Sequence, residues 1–155
     1  MKLEFLGTRG NIETRTKRHR MHSSLMVSYY GKHVMVDCGE DWLGNLSDLQ
    51  LNAMVITHAH PDHAWGLKEG APCPIFAPQE VCEEIDDYPI QETRQIELRQ
   101  ATEIEGIHFE AFPVDHSTHA PAVGYRITAG RMTIFYVPDM VYIPDRDEAL
   151  QEAQI

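Results

Sequence analysis

Thr57-His58-Ala59-His60-Pro61-Asp62-His63 decides the reading of this chain. It follows Ala53–Ile56, a short apolar run that reads as a buried strand, so the cluster begins where a strand ends. Imidazole nitrogen and carboxylate oxygen are the ligands that borderline cations such as zinc prefer, and a catalytic site keeps a position open for water. His58 and His60, two positions apart, can both point off one strand edge toward a single cation. Pro61 then turns the chain, and Asp62 and His63 can approach a second cation about 3.5–4 Å from the first, a spacing that lets two ions share a hydroxide and clamp an ester or phosphoryl oxygen. A chance grouping in a chain with nine His and ten Asp is the alternative. Four ligand-type residues gathered at one strand end weigh against it.

Outward from the cluster, the chain reads as strands in hairpins with helices between. Lys2–Leu6 and Ser24–Tyr29 are strand-like, and a Gly31-Lys32 turn leads into His33–Asp37. Gly39–Leu49 has helical spacing, with Trp42, Leu46 and Leu49 on one side. Asp62–Leu67 could open a short helix, Pro74–Ala77 reads as a strand, and Pro78 suits the first turn of a helix running to about Asp86. Arg94–Leu98, Ile107–Val114, Val123–Thr128 and Met132–Val137 are further strands, the last two joined at Ala129-Gly130. Arg146–Gln154 looks like the start of a helix. The fold class is a layered α/β or α+β domain.

The bulk numbers agree with one domain: 155 residues, 43% hydrophobic, net charge −11. Three cysteines without close pairing, no apolar leader and no run of about 20 apolar residues imply a soluble protein of the reducing cytoplasm, with no membrane partner. An acidic chain that grips nucleic acid needs a local basic patch. Arg15, Lys17, Arg18 and Arg20 supply one, and their guanidinium forks match phosphate geometry. A solvated basic loop is the plainer alternative. Gly7 and Gly10 lack the helix signal of a dinucleotide loop.

The cluster resembles the hallmark H-x-H-x-D-H of the metallo-β-lactamase superfamily, and three other stretches agree in order. Val34-Met35-Val36-Asp37-Cys38-Gly39 is similar to the family's strand and Asp-x-Gly turn. Val114-Asp115-His116-Ser117 followed by Gly124-Tyr125-Arg126-Ile127 is similar to its third motif, and Phe135-Tyr136-Val137-Pro138-Asp139 to the strand that delivers a bridging carboxylate. The resemblance implies an αββα sandwich and a metal-dependent hydrolase using a metal-activated hydroxide. It implies His58, His60 and His116 on one cation, Asp62 and His63 on the other, Asp139 bridging, and Asp37 steadying the metal loop. His60 stands where the di-iron flavoprotein branch has glutamate, so two zinc ions are expected, with manganese second. The family's last histidine has no counterpart here, since no histidine follows His119. The expectation is therefore a domain over 1–155 that lacks its C-terminal half layer, is completed by a partner subunit, or binds the second cation weakly. An uncovered apolar face would favour a homo-oligomer.

Phe5-Leu6-Gly7-Thr8-Arg9-Gly10 and Arg18-His19-Arg20-Met21-His22-Ser23-Ser24 are similar to the tRNase Z and cyclic-phosphodiesterase branch. Phosphodiesters are then the expected substrates. Small or short ones fit better than tRNA, because no inserted basic arm is present. In that scheme Asp62 holds or deprotonates the attacking hydroxide, His22 assists the leaving oxygen, and Arg18 and Arg20 meet the phosphate. Asp115 could orient a ligand, and His119 is a weaker candidate than His22; His19, His33 and His108 are weaker again. Hydrolysis of thioesters or other esters on the same fold, a metal-binding module without turnover, and an unmetallated structural domain are the competing readings.

Overall fold

The computed structural model describes residues 1–116 and 121–155; His119, with Ser117, Thr118 and Ala120, lies outside the described residues. Among the described residues ten strands form two sheets. In the first sheet, β1 (Lys2–Gly7), β2 (Ser24–Tyr29) and β3 (Lys32–Val36) pair antiparallel. β4 (Ala53–Val55), β5 (Ile75–Ala77) and β6 (Thr93–Gln95) then add in parallel beyond β3. The second sheet runs β10 (Met132–Tyr136), β9 (Ala122–Ala129), β8 (Ile107–Val114), β7 (Thr102–Ile104), antiparallel throughout.

Strand alternation sorts the side chains into layers. Leu25, Val27, Val34, Val36, Ala53 and Val55 point toward Phe109, Ala111, Tyr125, Ile127 and Ile134 of the second sheet and form the central core. Their neighbours Met26, Met35 and Met54 point the other way. They are covered by Trp42, Leu46, Leu67, Val81 of the helix α2 (Gln79–Glu84) and Ile85 just after it. Burial on both faces is why β4 reads as an unbroken apolar run rather than an alternating one. The outer face of the second sheet packs Phe112, Val114 and Ala122 under Ile143 and Ala149, the latter in the one-turn helix α3 (Arg146–Ala149). The order helix, sheet, sheet, helix is the sandwich that the sequence implies.

Local differences from the sequence reading have identifiable causes. The first hairpin turns at Tyr30-Gly31, where both residues have positive φ, rather than one position later. Gly39–Leu49 is two separate 3-10 turns, Glu40–Trp42 and Leu46–Asp48, because Gly44 at φ +70° breaks the run between them. Trp42 and Leu46 still bury on one side. The helix that carries the end of the cluster, α1 (Pro61–Ala64), passes into a 3-10 turn, Trp65–Glu69. Strand β7 escapes the sequence reading, although Glu105-Gly106, again both at positive φ, marks its hairpin to β8. The tail is helical for Arg146–Ala149 alone, and Gln154 and Ile155 lie along β10 through Gln154 N–H to Thr133 O and Phe135 N–H to Ile155 O, both 2.9 Å.

The topology makes four strand ends meet. β3 and β4 are parallel, and β8 and β10 are both antiparallel to β9, so each pair ends on one edge. Asp37 follows β3, Thr57 and His58 follow β4, His116 follows β8 and Asp139 follows β10. Functional sites in α/β sheets gather at such carboxyl ends. The Val123 N–H donates to Thr57 O at 3.1 Å and ties the two sheets together beside the cluster. The loop bearing Asp139 is closed onto the end of β8 by Asp115 N–H to Tyr142 O, 2.9 Å.

Candidate metal centre

The centre is best understood from Asp37 outward. Asp37 is fully buried and sits at φ +61°, an unusual backbone conformation that aspartate tolerates better than most residues. Its Oδ1 accepts the Thr57 N–H at 2.8 Å, and its Oδ2 accepts the Thr57 hydroxyl at 2.8 Å. His63 Nδ1 lies 2.9 Å from the same Oδ2. A carboxylate can only accept, so His63 carries a proton on Nδ1. The Thr57 hydroxyl spends its proton on Asp37, so at 3.0 Å its oxygen accepts from His58 Nδ1. One carboxylate thereby orients two imidazoles, His63 directly and His58 through Thr57. Such partners behind a ligand set which ring nitrogen faces the cation.

The opposite nitrogens, His58 Nε2 and His63 Nε2, are buried and have no hydrogen-bond partner among the described residues. Buried ring nitrogens without a hydrogen-bond partner are costly unless a proton or a cation meets them. Around them lie the remaining ligand atoms. His58, His60 and His116 bring one nitrogen each to within 4.8 Å of one another, and so do His58, His63 and an Asp139 oxygen. His60 Nδ1 and His116 Nε2 are 3.1 Å apart. Two imidazole nitrogens on one tetrahedral zinc at about 2.0–2.1 Å would lie about 3.3 Å apart. Asp139 Oδ2 is 3.2 Å from His63 Nε2, 3.9 Å from His58 Nε2 and 3.8 Å from His116 Nε2, so it faces both groups. Asp62 Oδ2 is 3.3 Å from His63 Nε2. The donor set, four imidazoles with Asp62 and Asp139, fits divalent cations.

The electrostatics agree. Burial, reinforced by His63, His60 and His116, pushes His58 down to about 2, so its imidazole is neutral and its lone pair free. Burial also opposes a charge on His63, but Asp37, Asp139 and Asp62 outweigh it and hold that ring up to about 11. A proton on His63 is what three carboxylates recruit where no cation is present. The Asp62 and Asp139 carboxyls both sit below the usual range. For Asp62, burial acts upward and hydrogen bonding and charge from His63 prevail; for Asp139, the His63 hydrogen bond is the largest cause.

The remaining sequence candidates fall into two groups. His22 is buried beside the centre, its Nδ1 accepting the Asp41 N–H at 3.2 Å. Its side chain and the Asp62 carbonyl flank Gly39, where a Cβ would come within 2.4 Å and 2.2 Å of them. Gly7 is needed for the same loop, since a Cβ there would meet His22 O at 1.8 Å. Arg18 and Arg20 are exposed and make no ion pair among the described residues, whereas Arg15 is tied to Asp41 at 2.5 Å. Asp115 is exposed, and its backbone rather than its carboxylate serves the centre. His33 bonds Ser28 and His19 bonds Thr8, away from the cluster. The sequence reading did not single out Thr57 as a relay, nor Arg9 and Asp41. Thr57 is legible in principle, standing beside His58.

Comparison with known proteins places these features in a family. Residues 32–155 match the Beta-lactamase superfamily domain. Ribonuclease Z of Methanococcus maripaludis (strain C6 / ATCC BAA-1332) is 29% identical over 154 residues, covering 81% of this chain and 49% of its own length. Ribonuclease Z of Methanopyrus kandleri is 26% identical over 142 residues, covering 81% and 49%. The chain thus spans about half the length of these curated relatives. Among solved structures, a diphosphatase from the PhnP family superposes with TM-score 0.70 at 24% identity, over 96% of this chain and 68% of that one. The short form of human tRNase Z does so with TM-score 0.68 at 21% identity, over 97% and 73%. With the family match running across all of the chain but β1, β2 and the turn after them, and both sheets in the expected order, the chain belongs to the beta-lactamase superfamily.

Proposed function

We propose that this chain carries the two-cation centre of a phosphodiester hydrolase. His58, His60 and His116 would hold one cation and Asp62 and His63 the other, with Asp139 facing both groups. The observation that carries the reading is the pair of buried Nε2 atoms on His58 and His63, without a hydrogen-bond partner among the described residues and both turned toward Asp139. Zinc is the first choice and manganese the second, from the imidazole-rich donor set. Bound there, the cations would supply Lewis acidity and lower the pKa of water toward neutrality. Asp62, beside His63 and facing Gly10, would orient the attacking water and take its proton. His22 would hold a proton at Nε2 for the leaving oxygen, because its Nδ1 already accepts the Asp41 N–H. Arg18 and Arg20 would meet the phosphate. The basic segment, together with the name that the ribonuclease Z relatives bear, favours a phosphodiester over a thioester or other ester.

No helix among the described residues is long and apolar enough to cross a membrane. The three cysteines are free, which suits a reducing cytoplasm. Exposed Met140, Val141 and Tyr142, next to Asp139, make a homo-oligomer part of the reading, checked by light scattering.

The test is elemental analysis with hydrolysis of bis-p-nitrophenyl phosphate, set beside a thioester panel, for the chain and its His58→Ala and His63→Ala variants. Near two zinc or manganese per chain, lost in the variants together with phosphodiester turnover, supports the proposal. Bound metal without turnover of any ester makes this a metal-binding module, and thioester turnover alone reassigns the substrate.

A further inference from the structure

A second buried charged cluster lies next to the cation ligands, where the long β1–β2 loop turns back on the metal edge. Its centre is Asp41, in the turn after Gly39, with a side chain 4% exposed. Oδ2 of Asp41 takes the Arg9 guanidinium and the His22 backbone N–H, the latter at 2.9 Å, and Oδ1 takes Arg15 at 2.5 Å. The Asp41 N–H donates to His22 Nδ1 at 3.2 Å. One residue therefore grips the loop near its start, its middle and its end.

The loop needs such a grip. Residues 9–20 hold Arg9, Arg15, Lys17, Arg18 and Arg20 against a single acid, Glu13, in a chain whose net charge is −11. Like charges this close repel and spread a loop unless a counter-charge gathers them. Its own backbone ties are few and gathered mostly at its base: Thr8 and Arg9 N–H to Met21 O and Ser23 N–H to Arg9 O, with only Ile12 N–H to Gly10 O and Thr16 N–H to His19 O further out. Yet it reaches the centre, since a Cβ on Gly10 would lie 3.8 Å from Asp62 Oδ2.

We propose that Asp41 is a positioning residue, a latch that holds the basic loop of residues 8–23 against the metal-bearing turn and orients His22 with its ring proton on Nε2. Its consequence for substrate rests on the phosphodiester reading above; the latch itself does not. A latched loop offers a fixed cationic wall to a phosphodiester at the cation edge. A released loop must be gathered by each substrate at an entropic cost, which appears in KM before it appears in kcat.

Hydrogen exchange on the metal-loaded chain tests the latch without reference to activity. In Asp41→Asn, the amides of Thr8, Arg9 and Ser23 should exchange about ten-fold faster or more, with β3 and β4 amides unchanged. Arg15→Ala, at a side chain 62% exposed and hence safe for folding, should speed exchange in residues 12–20. Nitrogen NMR of the wild-type His22 ring should show a bare Nδ1 and a protonated Nε2, and a mixture of tautomers in Asp41→Asn. With bis-p-nitrophenyl phosphate, Asp41→Asn should raise KM about five-fold or more, with a smaller change in kcat and the same metal content. Unchanged exchange in residues 8–23 of both variants, or a His22 proton on Nδ1 in the wild type, overturns the latch. If Asp41→Asn loosens β3 and β4 as well, the Arg15→Ala exchange decides. A wild-type chain that binds metal but hydrolyses no phosphodiester sinks the substrate reading, while exchange and NMR still judge the latch.

Discussion

Asp37→Asn changes no shape and should nevertheless disarm the centre. Asp37 accepts three hydrogen bonds, from Thr57 N–H, the Thr57 hydroxyl and His63 Nδ1. With the asparagine oxygen in the Oδ1 place, the new NH2 faces the Thr57 hydroxyl and His63 Nδ1. Both must then accept. The His63 ring proton moves to Nε2, and the Thr57 hydroxyl turns its proton to His58 Nδ1, so that ring too is protonated at Nε2. The two nitrogens facing Asp139, which Asp37 would leave bare for a cation, would each carry a proton instead. If the amide flips, the NH2 meets the Thr57 N–H, a buried conflict of two donors. Either orientation costs about 1–3 kcal/mol once the cations bind, and partners of this kind are worth about 10–100-fold in metal affinity.

Asparagine tolerates φ +61° and fills the same volume, but the metal-free chain should also lose stability, because Asp37 is the largest charge that holds the buried His63 ring protonated. Competition with a chelator for zinc is the assay, alongside melting of the metal-free chain. The expectation is zinc bound about ten-fold or more weakly by Asp37→Asn, with the metal-free melts showing how much of the loss is stability rather than metal affinity. Zinc affinity within a factor of about two of wild type would show that Asp37 does not choose the tautomers, and the orientation argument would fail.

Gly39→Ala places a Cβ 2.2 Å from Asp62 O and 2.4 Å from His22 Cβ, so the metal loop and the His22 loop must separate; a loss of about 3 kcal/mol or more, with metal content reduced, is expected in urea unfolding. Tyr125→Phe removes the fully buried hydroxyl that donates to Ile56 O at 2.9 Å and should cost about 1–2 kcal/mol in the same measurement while zinc content stays unchanged. Chelation should lower the melting point in proportion to the logarithm of free metal in calorimetry, because the native ligand set binds a cation and the unfolded chain does not. Burial works against the Asp41 charge, but the Arg9 hydrogen bond and the charges of His22, Arg9 and Arg15 hold its carboxyl below the ordinary 3.8. A depressed carboxyl contributes stability above that ordinary value and loses it as the pH falls through the folded value, so the metal-free wild type should lose stability on acidification below about pH 4 more steeply than Asp41→Asn in melts taken down that range.

What could be read from the chain alone follows the range of the interactions. The cluster from Thr57 to His63 is local, and its ligand types, spacing and strand end all sit within seven residues, so its chemistry is visible without a structure. His116 and Asp139 are distant and individually unremarkable; ordered motifs named them, and the parallel sense of β8 and β10 explains why they arrive at the same edge as His58. Gly39–Leu49 shows the opposite case. The helical spacing of Trp42 and Leu46 was a true burial signal, but the backbone is governed by Gly44, which periodicity does not weigh.

Asp41 was invisible for a deeper reason. Its partners Arg9, Arg15 and His22 lie 32, 26 and 19 positions away, on a loop whose shape exists only because those contacts form. A carboxylate in an acidic chain carries no mark that separates a latch from a solvated surface charge. Burial is what separates them: a 4% exposed aspartate must be compensated, and the compensating charges identify the segment it controls. Asp37 and Asp41 therefore divide the work of one turn. The first, facing inward, would decide which histidine nitrogens look at a bound cation; the second, four residues on, would decide where the basic loop stands relative to the site. Because both flank Gly39, and Gly39 is sealed between His22 and Asp62, a shift in either carboxylate is transmitted to ligand geometry and loop position at once.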